Sequence, residues 1–155
     1  MRKHLFTAFM ALLFLSGTHY SNARQANEEE SIYVQALRKY IEWIKRFEPD
    51  TQVLYFEELK GVTSTFPKSL EDIEIRILNG RNQLSTYQAN NNLLVQRKMG
   101  PAKVMGKQIE IGITPYQGRL DPERGIRLSF SKWHAVIFEY NPKAERFEYA
   151  RFENR

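Results

Sequence analysis

Apolar residues along the chain recur with two different spacings, which separate a helical part from a sheet-forming part. Between Ile32 and Phe47 they recur every three or four residues, as on one face of an amphipathic helix. Basic residues gather toward the C-terminal half of this segment, which suits the helix dipole. Asn27 is the expected N-cap, with the acidic residues 28–30 in the first turn, and Pro49 ends the predicted helix.

After Pro49 the apolar residues alternate with polar ones, which is the spacing of β-strands. Residues 52–57 are apolar on both faces, as in a central strand, whereas residues 73–77 define a half-buried strand. Residues 81–92 are polar and hold at most a short helix. Further strands are predicted over residues 93–98, 103–105, 109–113, 126–130, 133–140 and 146–152.

Glycine and proline mark the predicted breaks between these strands. Residues 115–125 (PYQGRLDPERG) are interpreted as a polar loop or a distorted hairpin connection, and Gly112 is a candidate bulge. Strands joined in succession by short turns favour an antiparallel meander. We therefore predict an α+β fold for residues 32–155, as a single domain with one long N-terminal amphipathic helix packed on a curved, mostly antiparallel sheet.

The first 23 residues have the pattern of a secretory signal peptide. Arg2 and Lys3 precede an uncharged apolar run over residues 5–15, and Ser21 and Ala23 place small residues at −3 and −1 of a cut after Ala23. An N-terminal membrane anchor is the alternative, but this run has only about half of the roughly 20 apolar residues that cross a bilayer. We predict a cleaved signal peptide over 1–23, a disordered tail over 24–31, and a periplasmic or secreted protein with no membrane span after cleavage.

Composition restricts the chemistry that the protein can perform. The 155 residues include no Cys and three His, and the formal net charge is +5. Cleavage after Ala23 would remove two His and two basic residues, leaving His134 and a net charge of +3. A chain with no Cys and one His cannot build a Cys/His zinc site, form a disulfide or use a thiol nucleophile. We assign no metal and no cofactor.

His134 is the side chain of the mature protein whose unperturbed pKa lies nearest neutrality. It is in register with Phe138 and Tyr140, so these side chains are expected on one face of a strand. A role in acid–base catalysis requires a carboxylate within reach, for which Asp121 and Glu123 in the preceding segment are the nearest in the predicted topology. The alternative is a histidine that is hydrogen-bonded or solvated near the start of a strand.

Trp133 and Tyr116 lie at strand ends beside the 115–125 segment. Aromatic side chains with a polar atom are common in binding surfaces, and equally common as lids over a core. We predict a binding site formed by Trp133, His134 and Tyr116, and we assign no catalytic residue.

The remaining acidic and basic residues form no recognisable catalytic, metal-binding or nucleic-acid-binding pattern. Glu110, Asp121 and Glu123 suggest a paired-carboxylate hydrolase or a calcium loop, but their spacing fits neither and residues 121–124 are typical of a turn. The basic residues of one predicted hairpin are Arg97, Lys98, Lys103 and Lys107. Charge on such an edge opposes aggregation, and the sequence carries no nucleic-acid-binding signature, so we expect no nucleic-acid partner.

The order of signal peptide, long helix and curved antiparallel sheet resembles the NTF2-like and cystatin-like families. The C-terminal half, IEIGITPY…IRLSF…VIFEYNPKAERFEY, is similar to a group of small uncharacterised exported proteins of Gram-negative, gut-type bacteria, over most of residues 31–153. Those proteins often carry a glycine-rich stretch before the penultimate strand, where this sequence has SKWH at residues 131–134. The Gln-x-Val-x-Gly segment of cystatin protease inhibitors is missing from the sequence.

These observations lead to a non-catalytic exported module that binds a protein, a glycan or a small ligand. The alternative is a small NTF2-like enzyme in which His134 is the general acid or base, which requires a deep pocket around that side chain. A third hypothesis, a structural or inhibitory partner of another exported protein, requires an exposed apolar patch instead.

Overall fold

Helix α1 occupies the predicted amphipathic segment. The computed structural model of the protein describes residues 30–130 and 132–155, and α1 spans Ile32–Phe47. Its N-cap is Ser31, whose Oγ accepts a hydrogen bond of 3.3 Å from the backbone N–H of Tyr33. The predicted cap Asn27 is wrong, because the helix begins after the acidic residues and has none of them in its first turn. The predicted signal peptide and most of the predicted tail lie outside the described residues.

Nine strands and a second helix follow α1 in the described part of the chain. The strands are β1 (Val53–Glu57), β2 (Ser69–Leu70), β3 (Ile73–Leu78), β4 (Leu93–Met99), β5 (Lys103–Met105), β6 (Gln108–Asp121), β7 (Gly125–Ser129), β8 (His134–Asn141) and β9 (Arg146–Asn154). Helix α2 spans Gln83–Ala89, within the segment where at most a short helix was expected. The alternation pattern misses β2 because two residues are too few to show a period.

The strand order corrects the predicted meander. The main order is β2-β3-β1-β4-β6-β8-β9, and β5 and β7 also pair with β6. Strand β1 pairs in parallel with both β3 and β4, whereas all other pairings are antiparallel. The chain therefore crosses from β3 over β1 to β4, and α2 lies in that crossover, as parallel pairing requires a long connection. Periodicity identifies strands but carries no information about their partners.

Strand β6 corrects the prediction of a loop over residues 115–125. It continues through Pro115 as far as Asp121, and a tight turn then leads into β7. Pairing with β8 ends at Ile113 and pairing with β7 begins at Gln117, so the intervening residues have a partner strand, β4, on one side only. Proline has no N–H to donate, and this one-sided stretch tolerates it.

Gly112 is not the predicted bulge, because it pairs with Ala135 in regular register. The irregularity lies in β9 instead, where Ile137 pairs with Arg151 while Phe138 pairs with Tyr149, leaving one extra residue between them.

The two helices pack on opposite faces of the sheet. The main core lies between α1 and the sheet and includes Leu37, Ile41, Leu54, Phe56, Ile111, Ile113, Val136 and Phe138. On the other face, Tyr87 of α2 packs with Tyr55, Leu78 and Leu94. A Cβ at Gly118 would overlap the Tyr87 hydroxyl, so α2 approaches β6 more closely there than any other residue would allow.

The described residues thus form an α+β unit with two helices and a mixed, mostly antiparallel sheet of nine strands. Residues Ser31–Arg155 form one compact unit. Neither helix of the described part is long and apolar enough to cross a membrane.

Candidate binding groove

A groove of about 530 Å³ opens at the gap between β7 and β8 along β6, which we call the β7–β8 separation. Both strands pair with the same side of β6, and between them lies the stretch around Pro115, which on that side has no partner among the described residues. The groove is lined by Glu48, Val95, Pro115, Gln117, Ser129, Phe130 and Lys132. It therefore lies at the interruption in the sheet that Pro115 occupies.

The floor of the groove is a part of the sheet that α1 does not cover. Val95 and Ser129 are each the cross-strand partner of Gln117, so these three side chains share one face. That face is the α1 side, because it also carries Ile113 of the main core. Helix α1 ends at Phe47, and Val95 keeps 41 % and Phe130 62 % of its surface exposed. Exposed apolar surface beside polar side chains is typical of ligand sites.

A buried arginine anchors one charged wall of the groove. Arg97 is 4 % exposed, and its Nη2 lies 3.6 Å from Glu48 Oε2. Its Nε donates a hydrogen bond of 3.0 Å to Tyr40 Oη, and its Nη1 donates one of 3.1 Å to the carbonyl of Val95. Burial raises the pKa of Tyr40, and the Arg97 charge opposes that rise. The hydroxyl therefore stays protonated, and Arg97 is fixed by three partners.

His134 lies beneath this region in a cluster of aromatic rings. It is fully buried, and its ring centroid lies 4.5 Å from that of Trp43, 5.4 Å from that of Tyr40 and 5.5 Å from that of Phe152. Nδ1 is 2.7 Å from Asn154 Oδ1, so Nδ1 carries the proton. Nε2 has no hydrogen-bond partner among the described residues.

Burial is the main reason that the pKa of His134 lies below its usual value of 6.5. The bond to Asn154 acts against this effect, and the positive charges of Lys132 and Arg97 add to it. The imidazole is therefore neutral at pH 7. It is not among the residues that line the groove.

Trp133 and His134 do not share a surface. The Trp133 ring stacks on Gly112, 3.5 Å from where a Cβ would be, on the face opposite α1. The Arg155 guanidinium covers the ring at 4.8 Å, and the backbones of these two residues exchange two hydrogen bonds of 2.9 Å. Trp133 thus closes the end of the β8–β9 ladder.

Tyr116 is connected to the groove through a neighbour. Its ring contacts that of Phe130 edge to face, with 5.5 Å between the centroids. Of the three residues that the sequence suggested for binding, Tyr116 contacts a groove residue, His134 lies below the groove, and Trp133 packs on the other face.

Two of the three carboxylates considered for catalysis, Asp121 and Glu110, have other partners. Asp121 Oδ1 accepts hydrogen bonds from the backbone N–H groups of Glu123 and Arg124, which lower the pKa of Asp121. Glu110 Oε2 accepts a hydrogen bond of 2.9 Å from Arg155. The described residues contain no group of three His, Cys, Asp or Glu side chains that could hold a metal ion.

Arg97 corrects the predicted basic edge. It points into the core toward Tyr40, whereas its neighbour Lys98 is exposed and lies 3.6 Å from Glu57. The sequence also offered no sign of Glu48, Phe130 and Lys132 as groove residues, because they come from two distant segments that only tertiary structure brings together. The chain matches no protein-family model, no curated protein and no solved structure.

Proposed function

We propose that the protein is an exported, non-catalytic binding module whose ligand site is the groove at the β7–β8 separation. The observation that carries the proposal is that one groove is lined by two exposed apolar residues, Val95 and Phe130, and by the oppositely charged Glu48 and Lys132. An apolar floor beside opposite charges suits a segment of protein, a glycan or a small ligand with apolar and polar parts. Export rests on the signal-peptide pattern of residues 1–23.

The proposal includes an NTF2-like or cystatin-like arrangement, with α1 lying along one face of a mostly antiparallel sheet. In such an arrangement the part of the sheet beyond the helix end is the natural place for a ligand. An experimental structure with the sheet curving around α1 would support this assignment, and a flat sheet would contradict it.

The binding proposal is tested with one probe for each ligand class. Chitotriose, the dipeptide phenylalanyl-lysine and the apolar dye anilinonaphthalene sulfonate are titrated separately while amide chemical shifts are recorded. We expect at least one probe to shift the amides of Val95, Gln117 and Ser129, and Phe130→Ala to weaken that probe about tenfold, since the aromatic side chain supplies most of the exposed apolar wall.

Leu84→Ala is the matched control, because Leu84 is a similarly exposed apolar residue on α2. It should leave probe binding unchanged. If none of the three probes shifts these amides, or if Phe130→Ala has no effect on the shifts, the groove is not the site.

A second candidate, an enzyme with His134 as general acid or base, is favoured by the unpartnered Nε2 atom. This role requires Nε2 to be reachable from the groove. Diethylpyrocarbonate modification mapped by mass spectrometry tests access. Rapid modification of His134 in the native protein supports the enzyme, whereas protection of His134 until unfolding contradicts it.

A further inference from the structure

Strand β7 has one side without a strand partner. It pairs with β6 through Gly125–Ser129, and no other strand of the described part pairs with it. Strand β9 covers β8 only, and its ladder reaches Asn154 opposite His134, followed by the hydrogen bonds between Trp133 and Arg155. The outer backbone groups of β7 are therefore available to an added strand in line with β9.

The α1-side face of this edge carries two unpaired positive charges. Arg119 and Arg127 are direct cross-strand partners, and both are exposed. Neither guanidinium forms an ion pair within the described residues, although both charges help to lower the pKa of Asp121. Directly opposed like charges destabilise a sheet in the free protein. Asp121 follows Arg119 on the same face, and its Oδ1 accepts hydrogen bonds from the backbone of the turn.

The opposite face of β7 is apolar. Ile126 is partly buried against the cluster around Tyr87, and Leu128 keeps 45 % of its surface exposed. An edge strand with positive charge on one face and apolar side chains on the other matches a partner that alternates acidic and apolar residues. Ser129, at the end of the strand, also lines the groove, so the edge and the groove are continuous.

We propose that β7 binds an extended acidic peptide as an added strand. An acidic side chain of the peptide lies opposite Arg127, and apolar side chains on either side of it lie opposite Ile126 and Leu128. Neighbouring strands are about 4.8 Å apart, which brings the acidic group within reach of the Arg127 guanidinium and relieves its repulsion with Arg119. Backbone hydrogen bonds supply affinity and the alternating side chains supply specificity. The inference rests on the proposed binding role, but Arg127 and the rest of β7 do not line the groove, and Ser129 alone belongs to both.

The test uses the full chain and a blocked heptapeptide in which valine and glutamate alternate. Calorimetry should detect binding, and hydrogen exchange should show new protection of amides within Gly125–Ser129. Arg127→Gln should weaken the peptide about fivefold, the effect of one exposed ion pair. Arg127→Glu should abolish binding of this peptide and create binding of a valine–lysine peptide. Arg81→Gln, at an exposed arginine in the loop before α2, is the control and should change nothing.

A proline at the centre of the valine–glutamate peptide separates strand addition from simple charge attraction. Because proline lacks the N–H and disrupts pairing, we expect at least tenfold weaker binding. Equal binding of the proline peptide, no binding of either peptide, or self-association of the protein through β7 would each overturn the inference. The groove proposal survives any of these results if its probes remain sensitive to Phe130→Ala.

Discussion

The two halves of strand β6 have different neighbours and differ in how far α1 covers them. The first half, up to Ile113, lies beneath α1 and pairs with β8, and its inward residues Ile111 and Ile113 are fully buried. The second half, from Pro115 to Asp121, extends beyond the end of α1, and its α1-side face is open at the groove. One strand thus serves first as core and then as a candidate binding surface, because the helix covers only part of its length.

This contrast predicts that substitutions in the covered half change stability and that substitutions in the open half change binding. His134→Ala should have the largest effect. It removes a ring packed against Trp43, Tyr40 and Phe152 and leaves Asn154 without its partner, so we expect a loss of about 3 kcal/mol in the free energy of unfolding. Denaturant unfolding measures it.

Phe130→Ala is the comparison for that variant, because Phe130 is an exposed aromatic residue of the groove beside the open half. Its effect on unfolding should be no more than about 0.5 kcal/mol. Equal losses for the two variants would show that the groove wall is part of the core, and the contrast between the halves would not hold.

Gly118→Ala should have the second-largest effect on stability, because α2 covers the face of the open half that lies opposite the groove. The new Cβ would overlap the Tyr87 hydroxyl, which donates a hydrogen bond of 2.9 Å to Gln96. Helix α2 would have to move, at a cost of about 2 kcal/mol in unfolding free energy. Gly80→Ala, where nothing lies within 4 Å of the new atom, is the control and should be close to neutral. A neutral Gly118→Ala would contradict the close packing of α2.

The smallest expected effect is a pH dependence carried by His134. The pKa of His134 in the folded protein is below 6.5, so the unfolded chain takes up a proton before the folded protein does. The stability should be constant above about pH 6.5 and fall as the pH drops toward 5, before carboxylates begin to titrate. Melting temperatures across this range measure the decline.

His134→Phe keeps a ring but cannot take up a proton, so its melting temperature should be flat between pH 7 and pH 5. The same decline in both proteins would assign the pH dependence to other groups.

Much of the local structure was predictable because it depends on short-range patterns. The three- and four-residue spacing predicted the body of α1 and its end at Phe47, although the predicted cap Asn27 placed its start too early, and the sequence pattern predicted every strand except β2. Pro115 misled the interpretation because proline is usually a strand breaker. Pro115 is tolerated within β6 because β7 and β8 leave a gap there, so the strand has a partner on one side only.

The candidate site was predictable only in part. The sequence singled out Tyr116, Trp133 and His134 by their residue types, and they lie near the β7–β8 separation. Alternation already implies that Trp133 and His134, as adjacent residues of one strand, face opposite ways. The sequence alone placed Arg97 on a basic edge, because arginine is seldom buried. Its burial depends on a hydrogen bond to the Tyr40 hydroxyl, which is distant in the sequence.

The sequence by itself determined most of α1, nearly all the strands and the lack of any cysteine chemistry, because these depend on residue types and their local spacing. Only the tertiary structure decided the parallel pairings of β1, the extent of β6 and the position of the groove. These features depend on which distant segments meet: the end of α1 at Glu48, the one-sided stretch of β6 at Pro115 and the connection at Phe130. Local periodicity does not determine contacts between distant segments, since the same pattern of apolar residues is compatible with many partners for each strand.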